Sequence, residues 1–309
     1  MVKMYKTFGG YHEISEPEKG CWINIIKPNE KEINYISDKF DVPADVITDI
    51  LDVDEVSRVE FEDEWTLIIL RIPVEVQNNG VPFITIPLGV FMKDEFTLTI
   101  CSQDNEILPF DKPSPFKNHY KNITDKMNFV LRLFHRSATW YLKYLKSIKQ
   151  MSNAIEYDLE KSIKNKELIE LLNLEKSLVY FTTSLKANII VSNKLINSKK
   201  ITTEINEDWF EEAMIENKQA LEMAQIYSDI QSGMMDAFAS VISNNMNEVM
   251  KQLTFISIIL MIPTLIASIF GMNIPNYMEK SNFALPAVLV VSLLLSYIGV
   301  VLIRKRRWV

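Results

Sequence analysis

A chain of 309 residues with a net charge of −7 exceeds the usual size of one domain, and its acidic balance excludes a surface built for nucleic acid. Two cysteines, Cys21 and Cys101, form no C-x-x-C pair and sit in strand-like runs; both read as buried free thiols of a reducing compartment in preference to a metal site or a disulfide. Eight glycines with no phosphate-binding loop, and three isolated histidines (His12, His119 and His135) with no H-E-x-x-H spacing, leave no constellation for an enzyme.

Residues 1–115 alternate short β-rich runs with helical stretches and predict a cytosolic α/β domain. Trp22 to Ile26, Trp65 to Ile72, Pro82 to Phe91 and Phe96 to Cys101 read as buried strands. Glu30 to Phe40 and Pro43 to Leu51 read as helices, the second with Pro43 at its first position and Asp41 as the candidate cap. Three prolines between Pro109 and Pro115 then break the chain. Residues 116–200 follow; from Asn118 to Asn197 they contain neither proline nor glycine and predict two long antiparallel helices.

The chain restarts at Thr202 to Asp208 and meets no further proline until Pro263. Residues 201–252 read as a stalk helix, in which Ala213, Ala220, Tyr227, Met234 and Val241 recur every seven residues, joined by Ala224 and Phe238. One face can therefore pack in a bundle, with Asn217 and Gln231 on the neighbouring row. Continued to Phe270, the helix would be roughly 90 Å long at 1.5 Å per residue.

Two runs lack any charge: the eighteen residues 253–270 and the twenty-one residues 283–303. Each reaches the length needed to cross the hydrocarbon core, and they predict a C-terminal hairpin in a membrane, joined by the external loop 271–282. The alternative, two buried helices of a soluble protein, calls for polar faces that the second run lacks beyond Ser292, Ser296 and Tyr297. The N-terminus has no apolar core for a signal peptide. The basic tail 304–309, with Arg304, Lys305, Arg306 and Arg307 before Trp308, predicts both termini in the cytoplasm.

Within the first span, Ser257, Met261, Thr264 and Ser268 step by four, three and four residues, which puts them on one helical face. Backwards the stripe reaches Thr254 or Leu253, then Met250, then Asn247. An isolated hydroxyl in such a helix is satisfied by its own backbone or by a neighbouring helix; a stripe of them ending in a polar loop predicts a pore. One helix cannot enclose water, so several chains around an axis are required. At the outer end, Gly271 lets the chain leave helical geometry, and Gly271, Met272 and Asn273 repeated by symmetry would form a ring of neutral oxygens. Such a ring suits magnesium, which sheds its waters reluctantly.

The segment Asn247, Glu248, Val249, Met250, Lys251, Gln252, Leu253, Thr254, followed by the Pro263 region, by Gly271, Met272, Asn273 and by the basic tail, resembles the CorA family of magnesium channels. The resemblance implies a funnel-shaped homopentamer in the cell inner membrane, with one stalk-and-pore helix per subunit around the axis and the second spans outside. It matches Asn247, Met250, Leu253, Met261, Thr264 and Asn273 to pore-facing positions, with Leu253 and Met261 as constrictions that close by dewetting. The basic cluster would ring the cytoplasmic mouth. Phe270 stands where the family commonly has Tyr, and the external loop carries only Glu279 as an acid. The expected cargo is hydrated Mg2+; Co2+ and Ni2+ have hydrated ions of similar size.

The family also implies regulation by internal Mg2+ held between carboxylates of neighbouring cytosolic domains. Glu207, Asp208, Glu211 and Glu212 open the stalk in the expected place, with Glu212 the best candidate and its partner left open among Asp52, Asp54, Glu55, Glu62 and Asp63. The same residues also suit a solvated helix start. Asp236 and Glu248 are further acidic positions near the axis. A zinc or other divalent-cation transporter on the same scaffold is the nearest alternative, against which Met272 speaks; a membrane-anchored oligomeric scaffold without transport is the other.

Overall fold

The computed structural model describes residues 1–8, 12–76, 80–108, 125–161, 165–198, 206–272 and 283–305. It divides into two units, 1–233 and 234–309. The proline-rich break at 109–115, Asn273 with the rest of the external loop to Asn282, and Arg306 to Val309 lie outside the described residues.

The first unit is built on a six-stranded sheet of β1 (Val2–Tyr5), β2 (Cys21–Ile26), β3 (Arg58–Phe61), β4 (Trp65–Glu75), β5 (Phe83–Lys93) and β6 (Phe96–Cys101), in the order β1-β2-β6-β5-β4-β3. Only β2 and β6 run parallel; every other pair is antiparallel. The period-2 pattern of β4 sorts its side chains between two cores. Leu67 and Ile69 face α1 (Glu30–Phe40) and α2 (Ala44–Leu51), where they join Ile36, Phe40, Ile47 and Ile50. Ile68, Leu70 and Ile72 face the long helices α3 (Lys126–Lys161) and α4 (Asn165–Ile196) and meet Phe129, Leu133, Val191 and Leu195. The sheet is thus the middle of three layers. Gly89 makes room for α2, since a Cβ there would stand 2.4 Å from Ile50 Cδ1.

The strands expected from apolar runs are all present, and two more are added. β1 and β3 are the edges of the sheet, four residues each, with one fully buried side chain apiece, Tyr5 and Val59. The expected cap of α2 is corrected. Pro43 is itself the N-cap, without a side-chain bond, and Asp41 ends α1 in the left-handed region at φ 49°. The start of α1 is closed by a reciprocal capping box in which Glu32 N donates to Asn29 Oδ1 and Asn29 N donates to Glu32 Oε2, both at 2.9 Å.

Because β3 pairs with β4 only as far as Ile69, the rest of β4 needs another partner. Asn188 of α4 supplies it: Arg71 N donates to Asn188 Oδ1 at 2.9 Å, and Asn188 Nδ2 donates to Arg71 O at 2.8 Å. The amide imitates a strand residue. Ser57 Oγ donates to the same Oδ1 at 2.8 Å and Tyr141 Oη to Arg71 O at 3.0 Å, tying the α2–β3 loop and α3 to one point. The Arg71 guanidinium bonds the Glu55 and Thr85 carbonyls, and burial lowers its pKa.

α3 and α4 meet edge-on at Tyr141 and Phe181, rings 4.9 Å apart. α5 (Glu207–Phe270) is one helix of 64 residues, opened by Asn206, whose Oδ1 accepts from Trp209 N at 3.0 Å. The seven-residue row along it divides. Ala213, Ala220 and Ala224 are buried within the first unit together with Asn217 and Gln231, so this part of the row packs inside its own chain. Gln231 Nε2 donates to Leu171 O at 2.9 Å and its Oε1 accepts from Ser152 Oγ at 3.0 Å; Asn217 Nδ2 donates to Ala213 O at 2.8 Å. The two residues that interrupt the apolar row are therefore its buried polar anchors. Val241 remains exposed.

The second unit comprises α5 from Met234 onward and α6 (Ala284–Lys305). Phe255, Ile259, Ile262, Pro263 and Ile266 are half-buried on α5, and Val288, Ser292, Ser296 and Gly299 are covered on α6. A Cβ on Gly299 would stand 3.4 Å from Ile262 Cδ1, so the small residues of α6 set the approach of the two helices.

Replacing Asn188 by Leu keeps the volume but leaves the Arg71 N–H and C=O without that partner inside the protein. We expect a stability loss of about 1–3 kcal/mol, as for one buried backbone donor left unsatisfied, since Arg71 O keeps its bond from Tyr141 Oη. Denaturant unfolding of the purified protein checks this, and a midpoint equal to that of the parent would contradict the edge-capping role.

Candidate functional site

On α5, Asn247, Met250, Leu253, Thr254, Ser257, Met261, Thr264 and Ser268 are all exposed in the single chain, as are Gly271 and Met272 just past its end. At 100° per residue, the centre of this stripe lies about 160° around the helix from the face carrying Phe255, Ile259, Ile262 and Ile266. α6 therefore packs on one side of α5 and the stripe occupies the other. Of the two residues expected as constrictions, Met261 is 65% exposed and Leu253 57%.

Three of the four hydroxyls of the stripe are held by their own helix. Thr254 Oγ1 donates to Met250 O at 2.8 Å, Ser257 Oγ to Leu253 O at 2.9 Å and Thr264 Oγ1 to Leu260 O at 2.8 Å. Each spends its one hydrogen on the backbone and keeps its oxygen lone pairs for whatever lies outside. Gly271 N still donates to Ala267 O at 2.9 Å, so the last helical bond closes at the first residue of the Gly-Met-Asn string. Arg304 and Lys305 belong to the last turn of α6.

The acidic positions are dispersed. Glu207 and Asp208 occupy the first turn of α5, Glu211 follows, and Asp236 and Glu248 lie further along; all five are exposed. Glu212 is engaged: Arg132 Nη1 of α3 meets its Oε2 at 3.1 Å and His135 Nε2 its Oε1 at 3.5 Å. His135, isolated in sequence, is thus partnered in space across 77 residues of chain. Of the carboxylates near α2, Glu55 is held by Arg58, which also binds Asp49 at 2.9 Å and Glu60. Asp52 Oδ1 accepts from Asp54 N at 3.0 Å and closes its own turn. Among the described residues no three His, Cys, Asp or Glu side chains of one chain converge as a metal site. Sequence reasoning missed Arg132, which pairs with an acid 80 residues away, and Arg58 with Asp49, whose pairing across nine residues follows no helical or strand spacing.

The two apolar segments of α5 and α6 have window mean hydropathies of 2.4 and 2.5, with 0% and 11% of those windows buried. Such exposure is untenable in water and natural in lipid. The molecule is thus an integral membrane protein with a large α/β and helical unit ahead of two spans, one of which carries a polar stripe. The family model described as CorA-like Mg2+ transporter protein matches residues 17–306, and the chain belongs to that family. It is 27% identical over 316 residues to the cobalt/magnesium transport protein CorA of Methanocaldococcus jannaschii, covering 96% of this chain and 94% of that one. The protein of the same name from Thermotoga maritima is 25% identical over 305 residues, covering 93% and 83%. The complete structure of the CorA magnesium transporter from Methanocaldococcus jannaschii superposes with a TM-score of 0.81 at 24% identity, covering 100% of this chain and 99% of that one. The expected architecture, an N-terminal α/β domain followed by long helices and two C-terminal spans, is the fold of that transporter.

Both thiols are buried, and burial raises both pKa values, that of Cys101 to about 11. At pH 8 a thiol of pKa 11 is only about one part in a thousand thiolate, the reactive form. The native protein should not react with a water-soluble disulfide reagent at pH 8, while the denatured protein should release two equivalents. Rapid reaction of the folded protein would refute the burial.

Proposed function

We propose that five copies of this chain surround one aqueous pore lined by α5 and pass hydrated Mg2+ into the cell, down its gradient and the membrane potential. The potential is worth about 2.3 kcal/mol per charge per 100 mV. The observation that carries this reading is the placement of the polar stripe on the face of α5 opposite α6. A face of Ser, Thr and Met that its own second span leaves uncovered is a poor surface for lipid and a good one for water.

The hydroxyl geometry supports the choice of ion. Waters bound to a dication turn their hydrogens outward, and Thr254, Ser257 and Thr264 offer lone pairs to receive them. A filter of Gly271, Met272 and Asn273 would act in the same way at the outer mouth, gripping the ion through its water shell and leaving the costly dehydration of Mg2+ undone. Leu253 and Met261 form the hydrophobic constrictions, with Asn247 and Met250 on the cytoplasmic side. In this reading the protein sits in the cell inner membrane with both termini in the cytoplasm, Arg304, Lys305, Arg306 and Arg307 ring the inner mouth, and internal Mg2+ acts at the stalk carboxylates Glu211, Glu212 and Asp236 to hold the pore shut. Co2+ is a second cargo, in keeping with the names of the relatives.

Purified protein in liposomes should carry Mg2+ inward, and Asn273→Ala should abolish flux while the pentamer persists on size-exclusion chromatography. Flux equal to the parent in that variant would refute the filter; assembled parent protein without flux would mark an oligomeric scaffold. Single cysteines at 257 and 264 should react with a membrane-impermeant thiol reagent, and one at 262 should not. Reaction only at 262 would place the stripe against lipid and end the pore reading.

A further inference from the structure

The stalk begins with a charge arrangement that the transport reading does not use. Glu212 stands one turn beyond Trp209 on the same face of α5, and the Arg132 guanidinium of α3 fills the space between them. Its Cζ lies 3.9 Å from the Trp209 ring centroid and its Nη1 3.1 Å from Glu212 Oε2. Stacking on Trp209 fixes the plane of the guanidinium, so the cation is aimed at the carboxylate in advance. His135, one turn along α3, reaches the other carboxylate oxygen at 3.5 Å. The cation is buried, its side chain 10% exposed, whereas the Glu212 side chain is 50% exposed. The carboxylate therefore has one side held from within the chain and one side open.

We propose that Arg132, steadied by Trp209 and assisted by His135, is a tethered competitor of the regulatory divalent cation for Glu212, and so sets the internal Mg2+ concentration at which the pore closes. The inference rests on the reading of Glu212 as a regulatory carboxylate. A metal ion approaching the open side must share or displace a positive charge already at hydrogen-bond distance, which weakens its binding. Arg132 touches neither the pore nor the cargo; it is a positioning residue acting through Glu212.

The test is Mg2+ flux into proteoliposomes of the full-length protein as a function of Mg2+ loaded on the cytoplasmic side. Arg132→Met should lower the half-inhibiting concentration about two- to fivefold, the range open to a half-exposed ion pair, and Arg132→Lys should restore most of the parent value. His135→Gln should move it in the same direction by less, and decides the matter where Arg132→Met does not assemble. Combining Arg132→Met with Glu212→Gln should erase the difference made by the arginine. An unchanged or raised threshold in Arg132→Met and His135→Gln, with Glu212→Gln alone still altering inhibition, would overturn the competitor and leave the regulatory carboxylate standing. Inhibition unaffected by Glu212→Gln would remove the regulatory reading itself, and the competitor with it.

Discussion

In hydrocarbon the backbone of residues 253–270 has no water to bond, and that constraint governs the second unit. Only a helix satisfies its own peptide groups there. A hydroxyl on such a helix has the same need, and Thr254, Ser257 and Thr264 meet it by bonding carbonyls one turn back. Pro263 is the exception: it brings no N–H, so the Ile259 carbonyl loses its helical donor. Both residues lie on the half-buried side of α5, away from the stripe. The irregularity of the helix and its polar face are thus kept apart, one toward α6 and the other on the face that α6 leaves open.

The α/β unit was legible wherever a strand or helix needed to bury a continuous pattern. β4, β5 and β6 are near-continuous apolar runs because they are covered on both faces, and the long helices announce themselves by eighty residues without proline or glycine. β1 and β3 gave no such signal. An edge strand of four residues buries little, and Arg58 and Glu60 on β3 are spent on an ion pair. The misplaced cap shows a different limit. Asp41 has the composition of an N-cap, but the role depends on backbone angles, and at φ 49° the residue closes the helix before it.

The stalk shows what periodicity can and cannot carry. A row of alanines every seven residues predicts that something packs closely, without naming the partner. In the first unit that partner is the chain's own α3 and α4, and the polar residues that spoil the repeat are the ones with buried bonds to Phe134, Leu171 and Ser152. Amides at such positions fix register better than apolar side chains, because an amide shifted by one turn leaves its bonds unmade. The exposed stripe of the spanning part was readable for the opposite reason. Lipid tolerates so few polar residues that four at regular steps stand out.

The carboxylates were the least legible, because the cations that engage them are set by the fold, Arg132 from 80 residues before Glu212 and Arg58 from the start of β3. Arg58 gathers Asp49, Glu55 and Glu60, and Arg132 with His135 holds Glu212, so part of the acidic excess near α2 and at the stalk entrance is offset from within. The carboxylates of these pairs reach solvent, their side chains between 18% and 50% exposed, and such a partly exposed ion pair is worth about 0–1 kcal/mol. A deeply buried pair would hold its acid permanently, and a bare cluster of acids would capture any dication present. A weak internal cation lies between these limits: it keeps the carboxylate placed and hydrogen-bonded, yet yields it for a modest cost. That is the electrostatic condition a reversible sensor of an abundant ion requires.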